Sequence, residues 1–243
     1  MTQPPAITLR YFEARGRGQP LRYYFAARGI SYTDERVPLP SSGRNVWLEM
    51  KEDRSRAGPF HKLPVLRYGD RTIAETLVIG EFLHHALGDE ASLSVEDNLR
   101  HSMLISSLYG DLVTPIAMIL WAEAMYVGLD YPTFVRQAFG RVRGHVGRLE
   151  QTLAEWGWTT SARGRPVMIA DCLLWEELDV LQHVFGAEHV GLDKLPTLSR
   201  LYLETPGRAA FQKVLAAHPA PVTGRGLAAE AEIIGRVQSY LAS

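Results

Sequence analysis

Hydrophobic and polar residues follow two different patterns along the chain. In roughly the first eighty residues, short apolar runs alternate with helical periodicity. The runs "AITLRYF" and "SYTDERVPL" predict strands, and "PVLRY" and "RTIAE" predict a hairpin that turns at Gly69 and Asp70. A helix is predicted over "QPLRYYFAARG" and another over "TLVIGEFLHHALG", each ending at a glycine. This order predicts a small α/β domain over residues 6–88.

From about Ser94 onward the pattern changes. Long apolar stretches at helical spacing dominate, and no convincing strand remains. The tail "HPAPVTGRGLAAEAEIIGRVQSYLAS" is a proline- and glycine-containing linker followed by one more amphipathic helix. We therefore expect a second, all-α domain over residues 94–243, with the boundary in "HALGDEASLSVED".

Composition and charge restrict the class of protein. The 243 residues are 46% hydrophobic, which is enough for a substantial core, and the net charge of −1 gives no overall attraction to nucleic acid or membrane. The N-terminus has no apolar signal-peptide segment. The stretch "LVTPIAMILWAEAMYVGL" is interrupted by Pro115 and Glu123, so we expect a buried helix. The expected location is cytoplasmic, with no nucleic-acid and no membrane partner.

Two glycine- and arginine-rich stretches have alternative interpretations. In "RGRGQP", Gly16 and Gly18 suggest a dinucleotide-binding loop, but the third glycine and the later acidic residue are missing. The run "GRVRGHVGR" could bind nucleic acid, but acidic residues follow it and no aromatic stripe accompanies it, which favours a solvated helix face.

The cysteine and histidine residues do not suggest a metal site. The single cysteine, Cys172, lies in the apolar run "MIADCLLWEEL" and is interpreted as a buried core thiol rather than a nucleophile. His84 and His85 are adjacent and would point to different sides of a helix. We therefore predict no metal.

The first strand ends in Tyr11 and Phe12, followed by "RGR" at 15–17. With this motif in place, the N-terminal half resembles the thioredoxin-like domain of cytosolic glutathione transferases. The C-terminal half resembles their all-helical domain, so the resemblance extends from about Ile7 to Leu215. It implies the fold class: an α/β thioredoxin-like N-terminal domain plus an all-α C-terminal helical domain. It is nearest to the tyrosine-type mu, alpha and pi classes.

The resemblance gives Tyr11 and Arg17 catalytic roles. A thiol with a pKa of about 8.5 is mostly protonated at neutral pH, whereas glutathione attacks as its thiolate. A phenol O–H donated to the sulfur favours the charged form, and a nearby cation adds to this effect. Tyr11 would be the donor and Arg17 the electrostatic support. The alternative is that Tyr11 simply ends a strand.

Two further motifs match the family's contacts with the glutathione backbone. "KLPVL" implies a cis-proline at Pro64, preceded by Lys62 and by Leu63, whose backbone would pair with the cysteinyl residue. In "AETLVIGEFL", Glu75 and Thr76 stand where the family binds the γ-glutamyl group at a helix N-terminus. An ordinary strand-opening proline and a plain N-cap threonine are the alternatives.

Other matches concern the ends of glutathione. Arg44, Trp47 and Lys51 in "RNVWLEMK" have the spacing of mu-class residues that contact the glycyl end; a solvated amphipathic turn is the alternative. Asp111 matches the mu-class acid that reaches across a dimer to the γ-glutamyl ammonium, and it interrupts an apolar helix where a carboxylate is costly without a cation. An arginine of the same chain could instead be its partner.

Phe12 and Trp121 match the aromatic residues of the family's hydrophobic substrate pocket. One departure is Met168, which stands where the family's buried capping box has a hydroxyl ahead of Asp171. This replacement leaves one backbone N–H uncapped, a loss of about 1 kcal/mol, unless another group serves as the acceptor.

Taken together, these motifs predict a homodimer that conjugates glutathione to hydrophobic electrophiles. Glutathione is the co-substrate, and no cofactor is expected. Two alternatives stay open: a glutathione-dependent isomerase or peroxidase on the same fold, or a non-catalytic binding protein. Sequence alone identifies neither the electrophile nor the role of the C-terminal tail.

Overall fold

The computed structural model describes residues 5–39, 45–87, 93–126, 128–159, 166–224 and 226–242. Arg44, which the sequence assigns to the glycyl end of glutathione, lies outside these residues. So do residues 88–92 at the predicted domain boundary, and the division into two domains therefore stays a prediction.

The N-terminal part is built on one mixed four-stranded sheet. Its strands are β1 (Ile7–Phe12), β2 (Thr33–Val37), β3 (Val65–Tyr68) and β4 (Arg71–Ala74). Their order is β2-β1-β3-β4, with β1 parallel to β2 and antiparallel to β3. The hairpin between β3 and β4 turns at Gly69 and Asp70, and Gly69 has a φ of 57°, a value that glycine adopts without strain. The predicted strands and hairpin are confirmed.

Helices complete the N-terminal part and make up the rest. They are α1 (Gln19–Ala27), α2 (Val46–Met50), α3 (Arg54–Ala57), α4 (Thr76–Ala86), α5 (Val95–Leu108), α6 (Thr114–Met125), α7 (Tyr131–Glu155), α8 (Ile169–Phe185), α9 (Ala187–Val190), α10 (Pro196–Glu204), α11 (Arg208–Ala217) and α12 (Leu227–Ala242). A π-helical turn, Tyr109–Val113, joins α5 to α6. Beyond residue 93 the described residues contain no strand. The predicted fold class, thioredoxin-like plus all-helical, is confirmed.

The sheet and the helices share one hydrophobic core. Tyr23 on α1 stacks on Phe211 of α11 at a centroid distance of 4.7 Å and meets the edge of Trp175 on α8 at 5.4 Å. All three rings are fully buried or nearly so. Such aromatic burial contributes apolar area and directional ring contacts together, so α1 is fixed against the helical part.

Helix α8 runs through the centre of the helical part. Cys172 on this helix is fully buried, and burial raises the pKa of its thiol well above the usual range. This confirms a core thiol. At the start of α8 another acceptor replaces the missing hydroxyl: the Asp171 N–H donates to the Met168 carbonyl oxygen at 3.1 Å. The Asp171 carboxylate accepts the Met168 N–H at 2.9 Å, so the first turn closes on itself without a hydroxyl.

The continuous helical stretch Val95–Met125 is only partly covered. By length and composition it is apolar enough to cross a membrane, and 39% of its most apolar window is buried within the chain. Leu99 and Met103 are about half exposed, as is Met118. Burial within this chain, which the sequence favoured, therefore accounts for only part of its apolar character.

A buried ion pair joins the loop after β1 to α8. The Arg15 guanidinium donates to the two Glu176 carboxylate oxygens at 3.0 and 2.7 Å, and to Asp179 at 2.6 Å. The Tyr23 hydroxyl donates to Glu176 at 2.9 Å. Arg15 and Glu176 are both buried. Because every partner is hydrogen-bonded, these charges are tolerated in the interior.

Replacing Arg15 with leucine should destabilise the fold by about 3–5 kcal/mol, because Glu176 would stay buried without its cation. Urea unfolding with a fitted slope measures this loss. Arg236→Ala is the matched control, since Arg236 forms surface pairs with Glu123 and Glu232. Arg236→Ala should lower the free energy of unfolding by only about 0–1 kcal/mol. Equal losses in the two variants would contradict a structural role for the buried pair.

Candidate active site

Tyr11 lies at the C-terminal end of β1 with its side chain buried. Its hydroxyl oxygen accepts the backbone N–H of Arg17 at 3.0 Å. An oxygen held in this way still has its own O–H to donate. The arrangement therefore fixes the phenol while leaving its proton available to a ligand.

The glycines of "RGRG" allow the loop to lie against this ring. A Cβ on Gly18 would be 2.4 Å from Cδ1 of Tyr11, and one on Gly16 would be 2.6 Å from the Tyr11 hydroxyl oxygen. Gly16 also has a positive φ of 32°. The sequence showed that these glycines do not form a dinucleotide fingerprint; the structure shows that close packing on Tyr11 requires them.

The electrostatic surroundings keep Tyr11 protonated. Burial raises the pKa of the Tyr11 phenol, and the hydrogen bond from Arg17 and the charges of Arg17 and Arg22 oppose this rise without cancelling it. The Arg22 guanidinium lies 5.7 Å from the centroid of the Tyr11 ring, and that of Arg17 lies 5.2 Å from the ring of Tyr109. At neutral pH the phenol is therefore a hydrogen-bond donor.

Tyr11 faces a cavity of about 300 Å³ between the sheet and the helices. Its apolar wall consists of Val113, Ile116, Ala117, Trp121, Val180 and Val222. Arg17, Glu176, Glu177 and Thr223 contribute the polar surface. A mostly apolar cavity with a few polar groups suits a small hydrophobic ligand.

The segment before α12 closes one side of this cavity. The backbone N–H of Gly16 donates to Val222 at 2.9 Å, which ties the segment to the loop beside Tyr11. The buried Glu230 carboxylate accepts the N–H groups of Val222 and Thr223 at 2.6 and 2.7 Å. The C-terminal tail, whose role the sequence left open, therefore forms part of the cavity wall.

Thr76 and Glu75 lie beside the same loop. The Thr76 hydroxyl donates to the Arg17 carbonyl oxygen at 3.2 Å. Glu75 precedes α4 with a φ of 69°, a strained conformation for a residue with a side chain. Strain of this kind is commonly retained at ligand sites, which is consistent with the assignment of this pair to a ligand.

The predicted residues Leu63 and Trp47, from "KLPVL" and "RNVWLEMK", lie near Tyr11. The Leu63–Pro64 peptide bond is cis, as expected. Leu63 belongs to the small core cluster that contains Tyr11, and Trp47 packs against that cluster. Lys51 ends the helix that carries Trp47, and its carbonyl oxygen lies 2.7 Å from Nδ1 of His61.

Phe12 and Lys62 are not among the described residues that line the cavity facing Tyr11. Phe12 meets the edges of the Tyr11 and Trp47 rings at 5.6 and 5.4 Å. The structure thus brings Trp121, but not Phe12, into this cavity wall. Lys62 is exposed, and its backbone N–H donates to Ala57 at 3.0 Å.

Asp111 lies on the π-helical turn, and its side chain is 57% exposed. The expected desolvation cost at this position is therefore absent from the single chain. Its same-chain neighbours are the Ser107 hydroxyl at 3.4 Å and His145 Nδ1 at 3.7 Å, so the alternative of an arginine partner is replaced by a histidine. Burial lowers the pKa of His145, against the attraction of Asp111.

The sequence analysis gave no role to Glu177, and it did not recognise the pairing of Arg15 with Glu176 and Asp179. Two adjacent acids in the otherwise apolar "CLLWEEL" were the available signal, because a buried acid requires a partner or a raised pKa.

Among the residues described, no group of three or more histidine, cysteine, aspartate or glutamate side chains could hold a metal ion. The arginines of "GRVRGHVGR" are exposed on α7, as predicted for a solvated face.

No family model matches the chain. The glutathione S-transferase of Dirofilaria immitis is 26% identical over 224 residues, which cover 90% of this chain and 97% of that protein. The glutathione S-transferase of Plasmodium falciparum is 34% identical over 77 residues, and the human hematopoietic prostaglandin D synthase is 34% identical over 79 residues. Each of these two matches covers 32% of this chain and only about a third of the relative's length, 36% and 35% respectively.

Solved structures show the same fold. The pi-class glutathione S-transferase of Onchocerca volvulus has a TM-score of 0.67 at 23% identity, covering 91% of this chain and 99% of that one. The monomeric Na-GST-3 of Necator americanus has a TM-score of 0.70 at 20% identity, covering 90% and 100%. The fold is that of the glutathione S-transferases, and the names of the sequence relatives support that family for this chain.

Replacing Gly18 with alanine should destabilise the protein by about 1–3 kcal/mol, because the new Cβ overlaps the Tyr11 ring. Gly147→Ala is the matched control: Gly147 lies within α7, and nothing is within 4 Å of its Cβ position. That variant should gain about 0.5–1 kcal/mol from helix propensity. Thermal unfolding measures the stability change of each variant, and the two changes should have opposite signs. A Gly18→Ala variant as stable as the wild type would contradict the close packing.

Proposed function

We propose that this protein is a tyrosine-type glutathione transferase that conjugates the glutathione thiolate to hydrophobic electrophiles. The observation that carries the proposal is the buried Tyr11 hydroxyl, anchored by the Arg17 N–H and open to an apolar cavity. A neutral phenol at this point can donate to a thiolate and so favour the ionised sulfur. The names of the sequence relatives support the same activity.

Glutathione would lie along the loop and helix ends around Tyr11. Glu75 and Thr76 at the start of α4 would receive the γ-glutamyl group, Leu63 would pair with the cysteinyl backbone, and Trp47 and Lys51 would contact the glycyl end. Arg44, Lys62 and Pro64 complete the proposed glutathione site, and Trp121 lines the adjacent hydrophobic pocket. No cofactor is required for thiolate addition, and the proposed location is cytoplasmic.

A homodimer is the proposed active unit. The partly exposed apolar side chains of α5, Leu99 and Met103, support it, because unpartnered apolar area on one face is typical of an interface. Asp111 would then act in the partner's site on the γ-glutamyl ammonium. The neighbour Na-GST-3 is described as monomeric, so the oligomeric state requires direct measurement.

A second candidate function is glutathione-dependent isomerisation. The human relative named prostaglandin D synthase favours it. Both functions use a glutathione thiolate and differ in the fate of the thioether, which is released in conjugation and cleaved again in isomerisation. Mass spectrometry of the product distinguishes the two, and a protein that binds glutathione without turnover would instead indicate a non-catalytic binding role.

Tyr11→Phe removes only the O–H, so glutathione affinity by calorimetry should barely change. The kcat for conjugation near neutral pH should fall by roughly one to three orders of magnitude. Tyr109→Phe is the matched control, because Tyr109 is the phenol under Arg17; its kcat should change less than about threefold. Full activity in Tyr11→Phe, or the opposite ranking of the two variants, would reject Tyr11 as the donor.

The dimer proposal predicts that Met103→Glu converts a micromolar dimer to monomer in sedimentation velocity, because it places a charge in an apolar interface.

Asp111→Asn should keep the dimer and weaken glutathione binding by roughly tenfold, since one charge-assisted contact is lost. His145→Gln removes the same-chain neighbour of Asp111 and should leave the affinity unchanged. A monomeric wild-type protein with full activity would overturn both proposals.

A further inference from the structure

Glu177 is a buried acid that faces the cavity beside Tyr11. Glu177 is only 5% exposed, and it is among the residues that line the cavity. Within the part of the chain that the structure describes, no hydrogen bond or ion pair holds its carboxyl group. An unpartnered acid in an apolar cavity is costly, so a specific function for it is worth testing.

The Arg15 cation near Glu177 is already shared by two other carboxylates. Arg15 is bound by Glu176 through both oxygens and by Asp179, so its single positive charge already faces two carboxylates. A third carboxylate at Glu177 would have no counterion of its own. Burial raises the pKa of the Glu177 carboxyl well above its usual range; repulsion by Glu176 adds to this effect, and the charge of Arg15 opposes it without cancelling it. Burial without a hydrogen-bonded cation thus favours the protonated form of Glu177, which has an O–H to donate.

The cavity thus presents two O–H donors to one ligand. Tyr11 is placed for the thiolate of glutathione, and Glu177 lines the same space from α8, together with Val180 and with Trp121 on α6. An electrophile that fills this space would be apolar over most of its surface. It would also carry one hydrogen-bond acceptor that a carboxylic acid can satisfy.

We infer that Glu177 is a catalytic acid that makes this site favour α,β-unsaturated carbonyl compounds over aryl halides. The inference rests on the proposed glutathione transferase function. Other electrophiles, such as aryl halides, lose an anionic leaving group and have no carbonyl oxygen to protonate. An enone or enal therefore gains from an acid at this point, whereas an aryl halide does not.

The glutathione thiolate forms a bond to the β-carbon, the carbon–carbon π pair moves between the α-carbon and the carbonyl carbon, and the carbonyl π pair moves to oxygen. That oxygen takes the proton of Glu177, giving an enol and a Glu177 carboxylate. The enol then tautomerises: its O–H proton returns to Glu177, and the α-carbon takes a proton from water. This last proton balances the one that the glutathione thiol released to water when it ionised.

The test compares two electrophiles, trans-4-phenyl-3-buten-2-one and 1-chloro-2,4-dinitrobenzene. The measured quantity is kcat/KM for the enone divided by kcat/KM for the aryl chloride, both with glutathione. Glu177→Leu removes the acid and matches the apolar wall, so this ratio should fall roughly 10²-fold. Glu177→Gln keeps a hydrogen-bond donor without a transferable proton and should give an intermediate ratio. If the leucine variant fails to fold, the nearly isosteric glutamine variant carries the comparison.

Glu188→Gln is the matched control. It removes an exposed acid that lies 3.6 Å from His189 and is not among the described cavity-lining residues. Its ratio should stay within about threefold of wild type. Equal losses for both electrophiles in Glu177→Leu, or an unchanged ratio, would overturn the inference alone. A wild-type protein that conjugates the aryl chloride but not the enone would do the same, whereas one that conjugates neither would also reject the proposed function.

Discussion

The ion pair between Arg15 and α8 is the constraint on which the candidate site depends. Arg15 belongs to the loop that follows β1, and Glu176 and Asp179 belong to the central helix of the other half. Their contact places the Tyr11 loop against the helices and thereby forms the cavity between the two parts. Because the pair is buried and Tyr23 also donates to it, movement of this loop away from α8 would expose unpaired charges.

The same constraint explains the protonation states in the cavity. Burial disfavours the charged forms of Tyr11 and Glu177, and the Arg15 guanidinium is already shared between Glu176 and Asp179. Tyr11 therefore remains a phenol, and the protonated form of Glu177 is favoured. Charge in the cavity would arrive with the ligand, as a thiolate, and it would meet donors that are already oriented. Preorganised donors of this kind stabilise a developing anion without further rearrangement.

Local sequence signals predicted the elements of the sheet and the order of the helices, because strand alternation and helical spacing depend on nearby residues. The resemblance to a known family pointed to Tyr11, Thr76 and the cis bond before Pro64. Contacts between distant residues were not accessible in this way. Arg15 meets Glu176 across 161 positions, and no pattern in a single sequence specifies that pairing. The Glu177 side chain was missed for the same reason, since its exposure to the cavity depends on how α8 packs.

The pKa of the glutathione thiol on the protein tests the central claim most directly. A difference absorbance titration of the thiolate, with S-methylglutathione as the blank, measures it on the wild-type protein. If the Tyr11 O–H donates a hydrogen bond to the sulfur, the bound thiol should titrate about two units below the free value of about 8.5. A bound thiol that titrates at the free value would contradict the assignment of this cavity as a thiolate-stabilising site.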